Sequence, residues 1–155
     1  MDTTFEITRV SRNTIAKFLD NYTLEQLNKV PQGFNNNLIW NIAHIVVVQQ
    51  MLVYNLSGLP MMVDVQMVEK YKRGTKPESD VTQEEVDHIK SLLFTTIEKT
   101  EADFNSESSE AIFHNFTEFT TMTGFTMRTA AEAIAFNYFH ESMHIGIMMS
   151  IRKFI

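Results

Sequence analysis

Apolar residues return every three to four positions along most of this chain, and the polar stretches between them hold the capping and breaking residues that delimit helices. Three segments open with a threonine followed three residues later by a glutamate: Thr3/Glu6, Thr82/Glu85 and Thr129/Glu132. In that pattern the hydroxyl accepts from free N–H groups of the first turn and the carboxylate reaches back. Thr23 with Gln26 repeats it ahead of a short segment that Pro31 closes off. The spacing predicts a first long helix from about Thr4 to Asp20, with Val10, Ile15, Phe18 and Leu19 facing inward. A second, from about Asn36 to Leu56, carries a dense apolar face and stops before Gly58 and Pro60, the usual order of C-terminal breakers.

A short helix is expected within Met61 to Arg73, followed by a polar loop from Gly74 to Asp80. The third long helix, from about Gln83 to Phe104, places Val86, Ile89, Leu93 and Ile97 on one stripe. Asn105 to Gly124, rich in Ser, Thr and alternating Phe, reads either as extended loop or as a short hairpin. The last helix, from about Met127 to Lys153, is apolar on nearly every side. Its outer face, with Tyr138, Ile145 and Met149, implies a further buried contact, within the fold or across a dimer. Four long helices with two longer crossings predict an all-α fold, a four-helix bundle with longer crossover connections, formed by residues 1–155 as a single domain.

Composition narrows the function classes. The 155 residues are 44% hydrophobic with 12 Phe, enough to bury a core without staples. A net charge of −6 with scattered acidic residues leaves no basic stripe for nucleic acid. The absence of cysteine excludes disulfides, thiolate ligands and a cysteine nucleophile, so any thiol chemistry needs an external thiol. The start, Met1 to Glu6, lacks the basic and apolar regions of a signal peptide, and the longest apolar run, Ile42 to Tyr54, is interrupted by His44, Gln49 and Gln50. A cytoplasmic protein that does not span a membrane is expected.

The chemistry candidates are histidines. His140 and His144 stand four apart on a predicted helix, about one turn or roughly 6 Å, so both imidazoles can reach one ion. Their face also holds Ala133, Phe136, Met143, Ile147 and Ile151, and a polar ring on such a face needs a partner. A hydrogen-bonded core histidine is the plain reading of one such residue. Two on one inward face, with His44 available on the second helix, make a divalent ion the more economical partner, because neutral imidazole is a common metal ligand. Three histidines leave at least one coordination position open, which suits zinc, nickel or iron. His88 and His114 fall at a polar helix start and in a loop, as surface histidines do.

The string His140-Glu141-Ser142-Met143-His144 also spells the HExxH of zinc proteases. No ligand-bearing helix follows it, and the longer metzincin string fails at Ile147 and Ser150. Glu141 is then either a general base or a carboxylate that orients a ligand or faces solvent beside Arg152. Trp40, one turn before His44, is placed to wall a substrate pocket, and Asn37 shares its face.

Taken together, Asn37-x-x-Trp40-x-x-x-His44 on the second helix and His140-Glu141-x-x-His144-x-Gly146 on the last resemble the DinB/YfiT superfamily, in this order and at this length. The resemblance implies a four-helix bundle with a divalent metal, often nickel, zinc or iron, on the three histidines, and frequently a homodimer. Activities in that family include thiol-dependent S-transfer with bacillithiol or mycothiol, and metal-dependent hydrolysis or isomerisation. Ile145, Ile147 and Met148 stand where Arg and Gln are often found. The expectation is a metal-dependent enzyme that activates water or a low-molecular-weight thiol against a small electrophilic substrate, with His44, His140 and His144 as ligands and Glu141 as a candidate base. The competing expectation is a non-catalytic metal- or ligand-binding module.

Overall fold

The computed structural model describes residues 2–155, with side chains from Thr3 onward. Its helices are α1 (Asp2–Asn21), α2 (Leu24–Asn28), α3 (Leu38–Val53), α4 (Val65–Tyr71), α5 (Gln83–Asn105), α6 (Ser109–Ile112) and α7 (Ala130–Ile151). A 3-10 turn over Asn55–Ser57 follows α3, and the two-residue strands β1 (Phe119–Thr120) and β2 (Thr126–Met127) form an antiparallel hairpin between α6 and α7. The fold is all-α, as the apolar periodicity predicts. The four long helices pack together, α3 on α7 and α5, and α1 on α5 and α7.

Helix α3 is the centre of the molecule, and its composition follows from that position. From Leu38 to Ser57 it is long and apolar enough to cross a membrane, yet 83% of that window is buried inside the fold. A helix enclosed on all sides has no polar face to show. Its interior glutamines are satisfied locally: Gln49 Nε2 donates to Thr100 Oγ1 at 2.9 Å, and Gln50 Nε2 donates to Gln49 Oε1 at 2.7 Å. Gln50 Oε1 in turn accepts from Met62 N at 2.8 Å, tying down the segment after Gly58. Gly58 ends the helix at φ +69°, a left-handed value that a side chain would disfavour.

Capping follows the sequence at three helices, and a fourth cap, Asn37, stands where the helix interior was expected. Thr82 and Thr129 accept from the N–H groups of Glu85 and Glu132, and Thr23 and Gln26 make both bonds of a capping box. Asn37 caps α3 in the same way, accepting from Trp40 N.

Several expectations are corrected. Thr3 lies inside α1, not at its cap. Val10 is 67% exposed, because the buried face of α1 runs through Phe5, Thr8, Arg12 and Ile15, with the arginine where an apolar residue was expected. The segment 105–124 is neither pure loop nor pure hairpin: α6 and β1 both lie in it, and Thr117 N donates to Leu56 O at 2.6 Å, joining it to the end of the second helical stretch. On α7 the buried residues are Ala130, Ala133, Ile134, Asn137, Glu141, Met148 and Ile151, while Met143 and Ile147, read as core-facing, are exposed. The histidines thus border the buried face of α7. Ile145 packs on the core, whereas Met149 stays exposed.

Candidate metal centre

Three helical turns bring His44, His140 and His144 together, although His44 is nearly a hundred residues from the other two. Helix α3 packs on α7 more extensively than on any other element, and His44 lies mid-way along that contact. One ring nitrogen from each histidine lies within 4.8 Å of the other two. The ring centroids of His44 stand 5.2 Å from His140 and 4.8 Å from His144, and those of His140 and His144 are 4.6 Å apart.

Backbone and amide groups set the tautomers of two rings. His44 Nδ1 lies 2.6 Å from the carbonyl oxygen of Tyr71, the last residue of α4. A carbonyl at a helix end has no partner within the helix and only accepts, so Nδ1 carries the proton and Nε2 keeps a free lone pair. His144 Nδ1 lies 2.8 Å from Asn41 Oδ1. The Asn41 amide is oriented by its own Nδ2, which donates to Asn37 O at 2.7 Å, so His144 also donates through Nδ1 and frees Nε2. The Nε2 atoms of His140 and His144 approach to 3.2 Å. His140 Nδ1 is buried with no partner among the described residues.

Burial decides the charge of this cluster. It lowers the pKa of His44, and it lowers His140 to about 3 and His144 to about 4, with the neighbouring imidazoles adding to the effect in both of the latter. All three are neutral at pH 7 and hold lone pairs ready for a cation. The donor set fits a divalent ion: imidazole nitrogens only, gathered within 4.8 Å, with two of the rings oriented by outer hydrogen bonds.

Trp40 stacks on His44 with centroids 4.6 Å apart and planes at 14°. Its indole N–H donates to Thr75 Oγ1 at 3.1 Å, which pins the loop after α4 over the site. A cavity of about 850 Å³ opens there, lined by Trp40, the three histidines, Arg73 and Lys76 among others. Trp40 lines this cavity. Asn37 does not line it. It is buried as the cap of α3, its Nδ2 donating to Asn28 O at 2.8 Å, and it acts at one remove by holding Asn41.

Glu141 is corrected most sharply. Its side chain is 0% exposed, and both carboxylate oxygens are taken. Ser11 Oγ donates to Oε2 at 2.7 Å, while Arg12 Nε at 2.9 Å and Asn137 Nδ2 at 2.7 Å donate to Oε1, with Arg12 Nη2 also 2.7 Å from that oxygen. Arg12 Nη1 donates to Leu93 O at 3.1 Å, so the pair clamps α1, α5 and α7. A carboxylate so enclosed neither faces solvent beside Arg152 nor has a lone pair turned toward a substrate. Arg12 and Asn41 are the residues that sequence reasoning overlooked. Their signal was positional, an arginine in register with Phe5 and Ile15, and an asparagine one turn before His44.

The family model of the DinB superfamily matches residues 7–148, from within α1 to within α7. No curated protein matches the chain in sequence.

Proposed function

The chain belongs to the DinB superfamily, and on that premise we propose that it is a divalent-metal-dependent enzyme acting on a small molecule, as a thiol-dependent S-transferase or a hydrolase. The observation that carries this reading is the convergence of three neutral imidazoles within 4.8 Å at the wall of a cavity of about 850 Å³. His44, His140 and His144 are the ligands of nickel, zinc or iron. When bound, the ion supplies Lewis acidity to a water or thiol nucleophile and to the electrophile it meets. The chain's own residues do the rest. Tyr71 O and Asn41 Oδ1 hold two imidazoles in the ligating tautomer, and Trp40 fixes the plane of His44 and shields it from solvent.

With no cysteine in the chain, S-transfer draws its thiol from solution. A non-catalytic module would have no polar cavity against its ion, and the cavity over the histidines favours the enzyme. Metal content by elemental analysis of untagged protein, wild type beside His44→Ala and His140→Ala, is the test. Near-stoichiometric metal lost in both variants supports the site and justifies screening electrophiles with and without a low-molecular-weight thiol. A wild type that neither carries nor takes up nickel, zinc or iron ends the enzyme reading.

A further inference from the structure

The histidine cluster faces two cavities of opposite character. The larger, about 850 Å³, is the polar one already described, and carries Arg73, Lys76 and Thr75 against a single carboxylate, Glu78. A second, about 280 Å³, is lined chiefly by apolar side chains, Met51, Met122, Phe119 and Phe136 among them. Four residues belong to both: His44, His140, Arg73 and Met143. The two compartments therefore meet over the metal ligands.

Part of the apolar wall packs on the core, through Met51 and Phe136, and part is exposed. Phe119 and Met122 sit on the hairpin strand and turn, 45% and 77% exposed. Exposed apolar side chains gathered around one concavity mark a ligand surface more often than chance. Methionine suits such a wall because its unbranched, polarizable side chain adapts to different shapes.

The cationic side is equally placed. Arg73 has no hydrogen bond or ion pair to any described residue. Its loop is nonetheless held, since Gly74 turns the chain at φ +92° and Thr75 is bonded to Trp40 Nε1 and to the carbonyls of Lys70 and Lys72. An arginine on a tethered loop, beside a cavity wall, presents several donors to an anion from a backbone that is already fixed. The chain as a whole carries a net charge of −6, so a local anion site works against the overall field and needs these cations.

From this arrangement we infer that the substrate is an amphipathic small molecule: a carboxylate-bearing part lies in the polar cavity against Arg73 and Lys76, an apolar part lies on the Met122–Phe119 wall, and the reacting bond falls between them over the histidines. This rests on the proposed enzyme for the word substrate, but the binding itself needs no metal, and the two are tested apart.

Trp40, the sole tryptophan, lines the polar cavity and reports on it by fluorescence. The full chain, as purified and after chelation, is titrated with octanoate, butyrate and octylamine. Octanoate is expected to give a saturable change in Trp40 emission in the chelated protein, with butyrate at least about tenfold weaker for its missing methylenes and octylamine showing no saturation. Arg73→Met is expected to weaken octanoate about tenfold or more, with Arg73→Lys restoring part of it. Met122→Asp, at an exposed position that folding does not depend on, is expected to weaken octanoate and leave butyrate unchanged. Equal binding of octanoate and octylamine, no dependence on chain length, an unaffected Arg73→Met variant, or no saturable binding of octanoate overturns the inference. If octanoate binds as expected while metal uptake fails, the two-part cavity stands and the metalloenzyme reading falls; metal uptake without octanoate binding gives the reverse.

Discussion

Two buried polar clusters flank helix α7, and they are built on opposite principles. On one side, Arg12 and Glu141 are sealed with Ser11, Asn137 and the carbonyl of Leu93, and the carboxylate has no oxygen left unbonded. On the other, His44 and His144 are held from outside the cluster through Nδ1, and the Nε2 atoms of His144 and His140 meet each other at 3.2 Å. The first cluster pairs its two charges with each other, leaves Asn137 Oδ1 as a buried acceptor without a partner among the described residues, and holds three helices together. The second gathers its ring nitrogens around one point and leaves His140 Nδ1 buried without a partner among the described residues, a costly arrangement in a fold unless a cation is to be received. Glu141, adjacent in sequence to His140, thus belongs to the closed cluster, and the difference lies in which way the helix turns it.

The comparison is broken most forcefully at Arg12. Arg12→Met leaves the Glu141 carboxylate buried and uncompensated and is expected to cost about 3–5 kcal/mol of stability, read by urea denaturation. The double variant Arg12→Met/Glu141→Leu is expected to recover most of that loss, since replacing a whole buried pair by apolar groups is often near neutral. Retained metal in Glu141→Gln, together with reduced stability, would assign Glu141 to the scaffold, whereas activity lost at unchanged stability would return it to catalysis.

Next in size, Ser11→Ala removes one donor to the same carboxylate and is expected to cost about 1.5–3 kcal/mol with metal content unchanged. The open cluster answers to a different readout. Asn41→Leu frees His144 to rotate or change tautomer and is expected to lower metal affinity roughly ten- to a hundredfold, with a far smaller effect on the metal-free fold. Isothermal titration with zinc measures this directly; unchanged affinity would show that Asn41 does not position the ligand.

The last perturbation is pH, graded by how far it is lowered. The three histidines have folded pKa values below the ordinary 6.5, so the unfolded chain binds more protons than the fold between that value and the folded ones. Stability of the metal-free protein therefore falls as pH drops below about 6.5, and continues to fall toward pH 4 and 3, where His144 and His140 protonate in place. A His140→Ala/His144→Ala variant is expected to show a shallower decline in thermal melts over that range. An identical decline would place the titration elsewhere.

Much of this was legible in the chain itself. Thr82, Thr129 and the Thr23/Gln26 pair sit at helix starts because capping is a local matter of a hydroxyl and three residues of backbone. The three histidines were singled out because their spacing and apolar surroundings left few bland partners. Val10 was misplaced because an apolar side chain alone does not say which stripe of a helix is buried; the arginine that shares the buried stripe with Phe5 and Ile15 obscured the pattern. Asn37 was assigned to the pocket from its helix face, yet a capping residue is committed to its own backbone before it can meet a ligand.

By itself the sequence determined what depends on neighbours a few residues apart: the long helices, the caps at Thr23, Thr82 and Thr129, the turn at Gly58, and the pairing of His140 with His144 on one face. Tertiary structure alone decided what depends on residues far apart in the chain. It turned Glu141 onto Arg12, 129 positions away, and not toward the histidines. It set Tyr71 O against His44 and Asn41 against His144, and it placed Arg73 where a polar and an apolar cavity meet. Helical periodicity specifies which residues share a face, but the direction a face points is settled only when all the helices pack at once.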